Sequence, residues 1–315
     1  MGAADVVPGV SGGTIALITG IYDRLLAALA NADRHTLGLV LKGRIGAAWS
    51  RIDGAFLLSL MMGIGTAVLT LAGLIDWLLA NHPLPLWSFF FGLVLASAVF
   101  LLVEELPGDR GKEWFIVLLG AALAVTIGLA PAGEFIAGPL GVFLAGALAI
   151  CAMILPGISG SFILLLIGMY EPIIAAVSGR EFDTLLIFAS GCAAGLLAFT
   201  QVLHWVLAHW RRATMALLTG FLLGSLIILW PWQEVLSSVT DRHGELRAVQ
   251  TMPIGPLAYA QTYGDSQLWQ CVVAALVGLL LVAVAHQSGK RVQGLESKAL
   301  ASETDTAEQP AREAG

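Results

Sequence analysis

Charge is scarce in this sequence. Only 12% of its 315 residues are Asp, Glu, Lys or Arg, 57% are hydrophobic, and the mean hydropathy is +0.84. A soluble domain carries roughly 25% charged residues, so that class is excluded. Cysteine is nearly absent as well. Cys151, Cys192 and Cys271 lie in separate apolar stretches without metal-ligand spacing. They read as small packing residues, not as disulfide partners. No GxxxxGK[ST] loop and no HExxH occurs, which excludes ATP-driven pumping by this chain alone. The N-terminus lacks the basic region of a cleavable signal peptide. Nothing calls for a cofactor, a metal or a nucleic-acid partner. The formal charge of −6 decides little, because in a membrane protein the location of charge sets topology.

What the sequence has is hydrophobic length. Apolar runs at about 54–80, 86–103, 114–131, 136–155, 184–208, 213–231 and 268–287 approach or exceed the ~20 residues that cross a bilayer as helix. Residues 33–53 are too charged to span and read as an amphipathic segment at the membrane surface. Residues 232–267 read as a long polar connection, and the Ala/Glu/Ser/Thr-rich tail from about 290 as disordered.

One stretch occurs twice. Residues 8–29 (PGVSGGTIALITGIYDRLLAAL) and 156–177 (PGISGSFILLLIGMYEPIIAAV) align without a gap, with the same Pro, Ser and Gly spacing. Fragments that follow also correspond: 76–82 with 204–210, and 92–97 with 220–225. Basic residues Arg34, Lys42, Arg44 and Arg51 place 33–53 in the cytoplasm. Arg211 and Arg212, and Lys290 and Arg291, place 211–212 and the C-terminus there too. Counting spans, the first repeat ends inside and the second outside. The expected architecture is therefore an all-α polytopic membrane protein of inverted-topology repeats with two broken or re-entrant helical segments, a transporter plan. Its parts are 1–135, a first repeat; 136–288, a linking span and a second repeat; and 289–315, a cytoplasmic tail.

Non-helical backbone at membrane depth must line protein or water. Pro8 and Pro156 suit the opening of a helical limb, and Ser11 and Ser159 suit its N-cap. Gly9, Gly12, Gly13, Gly157 and Gly160 leave backbone N–H groups open to a ligand. Helix N-termini favour anions, and Thr14 and Ser161 add hydroxyls. Two such breaks brought together would make an anion cradle suited to phosphate. The competing reading is that these small residues only let helices pack closely. Arg24 is the candidate countercharge. Asp5, Asp23 and Glu171 are candidates for gating or for handling a coupling cation, proton or sodium. The alternative for Asp23, Arg24, Glu171 and the neighbouring tyrosines is an interfacial, snorkelling role. His204 is either a proton relay or a structural histidine. The repeats are chemically unequal, since Phe162 replaces Thr14 and Pro172 replaces Arg24.

MGAADVVPGVSGGTIALITGIYDRLL and MILPGISGSFILLLIGMYE resemble the two signatures of the DUF368 family of bacterial membrane proteins. The resemblance extends to about residue 288. It implies a polyprenyl-phosphate translocase of the bacterial inner membrane that returns undecaprenyl phosphate from the outer to the cytoplasmic leaflet for reuse in envelope synthesis. On that footing Ser11, Gly12, Gly13, Thr14, Ser159, Gly160 and Ser161 surround the phosphate. The alternatives are a carrier of a small soluble anion and an intramembrane lipid-phosphate hydrolase. The hydrolase is disfavoured because the broken motifs hold no His.

Overall fold

The computed structural model describes residues 1–2, 11–104, 111–130, 136, 138–240 and 246–287. Asp5, Pro8, Gly9 and the tail from 288 lie outside the described residues.

Among the described residues, five helices are long and apolar enough to cross a membrane. They are α5 (Gly54–Asn81), α6 (Pro83–Glu104), α7 (Gly111–Leu129), α11 (Phe182–Leu229) and α13 (Leu268–Gln287). At 1.5 Å per residue, the 48 residues of α11 would reach about 72 Å, over twice a ~30 Å hydrocarbon core. The helix is in fact interrupted: Trp210 has non-helical backbone (φ −133°, ψ 45°). Two limbs, 182–209 and 211–229, meet there, beside Arg211 and Arg212 as the sequence predicts.

The first motif forms α1 (Gly12–Ile18) and α2 (Tyr22–Ala30), and two short helices, α3 (Arg34–Leu41) and α4 (Ile45–Arg51), follow. The second motif sits between α8 (Pro139–Ile154) and the pair α9 (Gly160–Leu166) and α10 (Tyr170–Gly179). In each motif a glycine with positive φ, Gly20 (73°) or Gly168 (69°), turns the chain between the two short helices. The turn at Gly168 bends α9 against α10 by 113°.

α8 is shorter than the span expected over 136–155. Its 16 residues reach about 24 Å. Its C-terminal half packs antiparallel on α9: Gly160 lies against Ala149, and Leu164 clusters with Ala145 and Ala149. α8 and α9 therefore make a re-entrant hairpin that returns to its side of entry. α11 starts from that same side, because its residues Phe188 and Gly191 cross α8 at Gly146 and Phe143.

Two helix crossings are built alike. A Cβ on Gly220 would strike the Val117 carbonyl and one on Gly120 the Leu217 carbonyl, where α7 crosses the second limb of α11. A Cβ on Gly92 would strike the Ala275 carbonyl and one on Gly278 the Phe89 carbonyl, where α6 crosses α13. Small residues permit this backbone approach in a medium that offers no hydrophobic drive. Ser97 and Ser225, both about 1% exposed, hydrogen-bond their own helix backbone at corresponding places. The main core gathers Tyr22, Leu26, Phe90, Val94, Leu218, Leu222 and Val282, so it joins the first motif to α6, α11 and α13.

The connection 232–267 is more ordered than its composition suggests. Strands β1 (Gln233–Thr240) and β2 (Leu246–Pro253) pair antiparallel, and α12 (Pro256–Tyr263) follows. Trp232, packed with Leu84 and Cys271, ties the base of this hairpin to the helices.

Candidate functional site

The two breaks meet. Ser11 begins α1 in extended backbone (φ −110°, ψ 133°) and its Oγ accepts the Gly13 N–H at 3.1 Å. The same hydroxyl donates to the Met153 carbonyl at 2.9 Å. Thr14, fully buried, accepts the Gly157 N–H at 3.0 Å. Tyr22, 2% exposed, donates its phenol hydrogen to the Ile154 carbonyl at 3.1 Å. Carbonyls near the end of a helix lack intrahelical partners, so the first motif satisfies the unwound end of α8. Gly13 must be glycine, since a Cβ would lie 2.6 Å from the Ile154 carbonyl oxygen.

Around the second break, Gly157 has φ +86° and lies against the backbone of Phe221 and Leu222. Ser159 stands at the N-cap position of α9 in extended backbone, but its hydroxyl makes no capping bond and instead shares a 2.8 Å hydrogen bond with Ser161. A small pocket opens here. Gly157, Ser159 and Ser225 line it together with the apolar Ala124, Ile127, Ile158 and Ile228. The first-turn amides of Gly160 and Ser161 lie beside Ser159, and such amides have no intrahelical partner. Phe162, at the position of Thr14, also lines the pocket. The unequal repeats thus yield unequal surroundings: Thr14 bridges the breaks, while Phe162 walls the pocket.

The charged candidates lie elsewhere. Arg24 pairs with Asp53 at 2.6 Å, packs over the Phe56 ring at 4.4 Å, and is 59% exposed. Asp23 pairs with Arg211 at 2.8 Å, tying α2 to the turn of α11. The Arg24 partner holds the Asp53 carboxyl below its usual range, by hydrogen bond first and by charge second. Glu171 opens α10 on an exposed surface. His204 is exposed on α11. Among the described residues no group of His, Cys, Asp or Glu has the geometry of a metal site.

Three contributors escape a sequence reading. Tyr22 looks like an interfacial tyrosine but is buried between the breaks. Arg211 looks like a topology charge but partners Asp23. Ser225 enters the pocket, and its signal was the correspondence of GLVLAS with GFLLGS.

Apolar spans, a re-entrant hairpin and two breaks joined at depth define a polytopic membrane protein built around paired interrupted helices. The chain belongs to the VCA0040-like family, described as undecaprenyl phosphate translocase-like, whose model matches residues 1–247. It is similar to the polyprenyl-phosphate transporter of Vibrio cholerae, 44% identical over 285 residues that cover 90% of this chain and 91% of the relative. It is also similar to the polyprenyl-phosphate transporter of Staphylococcus aureus, 32% identical over 73% of this chain and 83% of the relative. No solved structure matches it.

Proposed function

We propose that this protein carries polyprenyl phosphate across the bacterial cytoplasmic membrane, from the outer to the cytoplasmic leaflet, so that the carrier lipid can be reloaded. The observation that carries the reading is the pocket at the second break. Ser159, Ser225 and Gly157 place polar groups in a lining otherwise made of Ala124, Ile127, Ile158, Phe162 and Ile228. Hydroxyls set among apolar side chains suit the anionic head of an amphiphile at the edge of its apolar tail. The names of the two relatives support the same substrate class.

In this reading Ser159, Gly160 and Ser161, with Ser11, Gly12, Gly13 and Thr14 behind them, form the phosphate cradle. Helix N-termini supply the attraction. Arg24 acts as countercharge to the phosphate on the face where α2 ends, apart from the pocket. Asp23 and Glu171, with Asp5, gate the two ends or bind a coupling cation. The crossings that repeat between α7–α11 and α6–α13 support an inverted-topology relation of the halves, which exchange roles as access alternates. Transport proceeds without hydrolysis of the phosphate ester, and the C-terminus faces the cytoplasm.

The test is transbilayer movement of a labelled polyprenyl phosphate in proteoliposomes. Ser159→Ala should slow it about tenfold, the effect of removing one charge-assisted hydrogen bond worth ~1.5 kcal/mol. Arg24→Ala should raise the substrate concentration for half-maximal rate. Movement no faster than in protein-free liposomes would defeat the proposal, and release of inorganic phosphate would replace it with hydrolysis.

A further inference from the structure

The connection from the first motif to its first span differs from its counterpart. In the second half α10 ends at Gly179 and α11 begins at Phe182, joined by Arg180 and Glu181 alone. In the first half residues 31–53 intervene and fold as the helical pair α3–α4. The repeat plan does not need this pair.

Its base is fixed. Asp33 caps α3 by accepting the Thr36 N–H at 2.9 Å and pairs with Arg51 at 2.8 Å. Arg51 also donates to the Thr36 hydroxyl at 3.1 Å, and the Asn31 amide donates to the Arg51 carbonyl at 3.1 Å. The Thr36 N–H first, then Arg51, hold the Asp33 carboxyl at about 2. Its tip is bare. Leu37, Val40, Leu41, Ile45 and Trp49 are all exposed, with Leu41 at 79% and Ile45 at 68%. Spacings of three and four residues put Leu37, Val40 and Leu41 on one face of α3, and Ile45 and Trp49 on one face of α4. Arg34, Lys42 and Arg44 flank that surface, are exposed, and form no ion pair among the described residues.

We propose that α3–α4 is a paddle that docks on the surface of a bilayer containing acidic phospholipids, in the leaflet where α2 ends. Charge complementarity selects the occupant. An apolar ridge alone would enter any bilayer, whereas three unpaired cations beside it favour a negatively charged leaflet. The inference is independent of what the protein transports.

Hydrogen exchange on the full chain in nanodiscs tests it. Amides of residues 37–49 should exchange about tenfold more slowly in discs containing phosphatidylglycerol than in phosphatidylcholine alone, in line with several surface cations each favouring an anionic leaflet. The triple variant R34Q/K42Q/R44Q should lose that difference while the amides of α11 keep their protection, which shows that the fold is intact. Leu41→Ser with Ile45→Ser should expose the segment in both lipids. Equal exchange of the parent chain in the two lipids would overturn the proposal, as would a triple variant that keeps the phosphatidylglycerol effect.

Discussion

Thr14 and Tyr22 hold one end of the other motif's break, Thr14 by accepting the Gly157 N–H and Tyr22 by donating to Ile154. Both are buried, so removing either hydroxyl leaves a backbone group without a partner. That costs about 1–3 kcal/mol. Thr14→Val and Tyr22→Phe, nearly isosteric, should each lower the thermal midpoint of the detergent-solubilised protein by several degrees. The double variant should lose less than the sum, because both act on one short segment, 154–157. Additive losses would show that the two bonds are independent. Arg24→Ala, by contrast, removes an exposed ion pair worth under about 1 kcal/mol and should leave the midpoint nearly unchanged. Ser11, Thr14 and Ser159 were legible as break residues because a duplicated Pro-Gly-x-Ser-Gly inside apolar sequence has few other uses. The partners of Ser11 and Thr14 across the breaks were not legible, since they lie some 140 residues away and no local pattern encodes them.

Among the elements, the two glycine crossings set how closely the helices approach. A methyl group at Gly220 or Gly92 would meet a backbone carbonyl that cannot move aside alone. Gly220→Ala and Gly92→Ala should therefore each cost about 1–3 kcal/mol, as overpacking does. Gly63→Ala, where a Cβ meets open space, should be neutral or slightly stabilising, since alanine is the better helix former. Thermal unfolding of the three variants side by side checks this, and equal loss at Gly63 would refute it. Hydrophobic length located the spans well, because bilayer thickness fixes how many apolar residues a helix needs. It failed at 136–155, where an apolar limb of near-spanning length turns back. Composition alone cannot separate a limb that crosses from one that returns, because both are bathed in apolar surroundings. The hairpin β1–β2 was missed for another reason. Its strands, QEVLSSVT and LRAVQTMP, carry polar residues that resemble a loop until cross-strand pairing is seen.

At the level of the whole molecule, one ion pair relates two loops that the charge count expects on the same side. Asp23 follows the first break and Arg211 sits between the limbs of α11, and the two meet, so these segments share one face. Counting crossings from there puts Lys42 on that face and Asp265 on the opposite one. A membrane-impermeant maleimide should label Lys42→Cys in inside-out vesicles and Asp265→Cys in intact spheroplasts, over the background of the parent chain. Labelling of both from one side would break the proposed topology.

The contact between the breaks also bears on leakage. Where the described residues touch, Thr14 is fully buried and Tyr22 is 2% exposed, so no file of water molecules runs along these two side chains. Ions need such a file to cross at speed. A contact sealed in this way offers ions no such path along its own seam, which is what a carrier needs there if it is to sit in a membrane without dissipating its gradients.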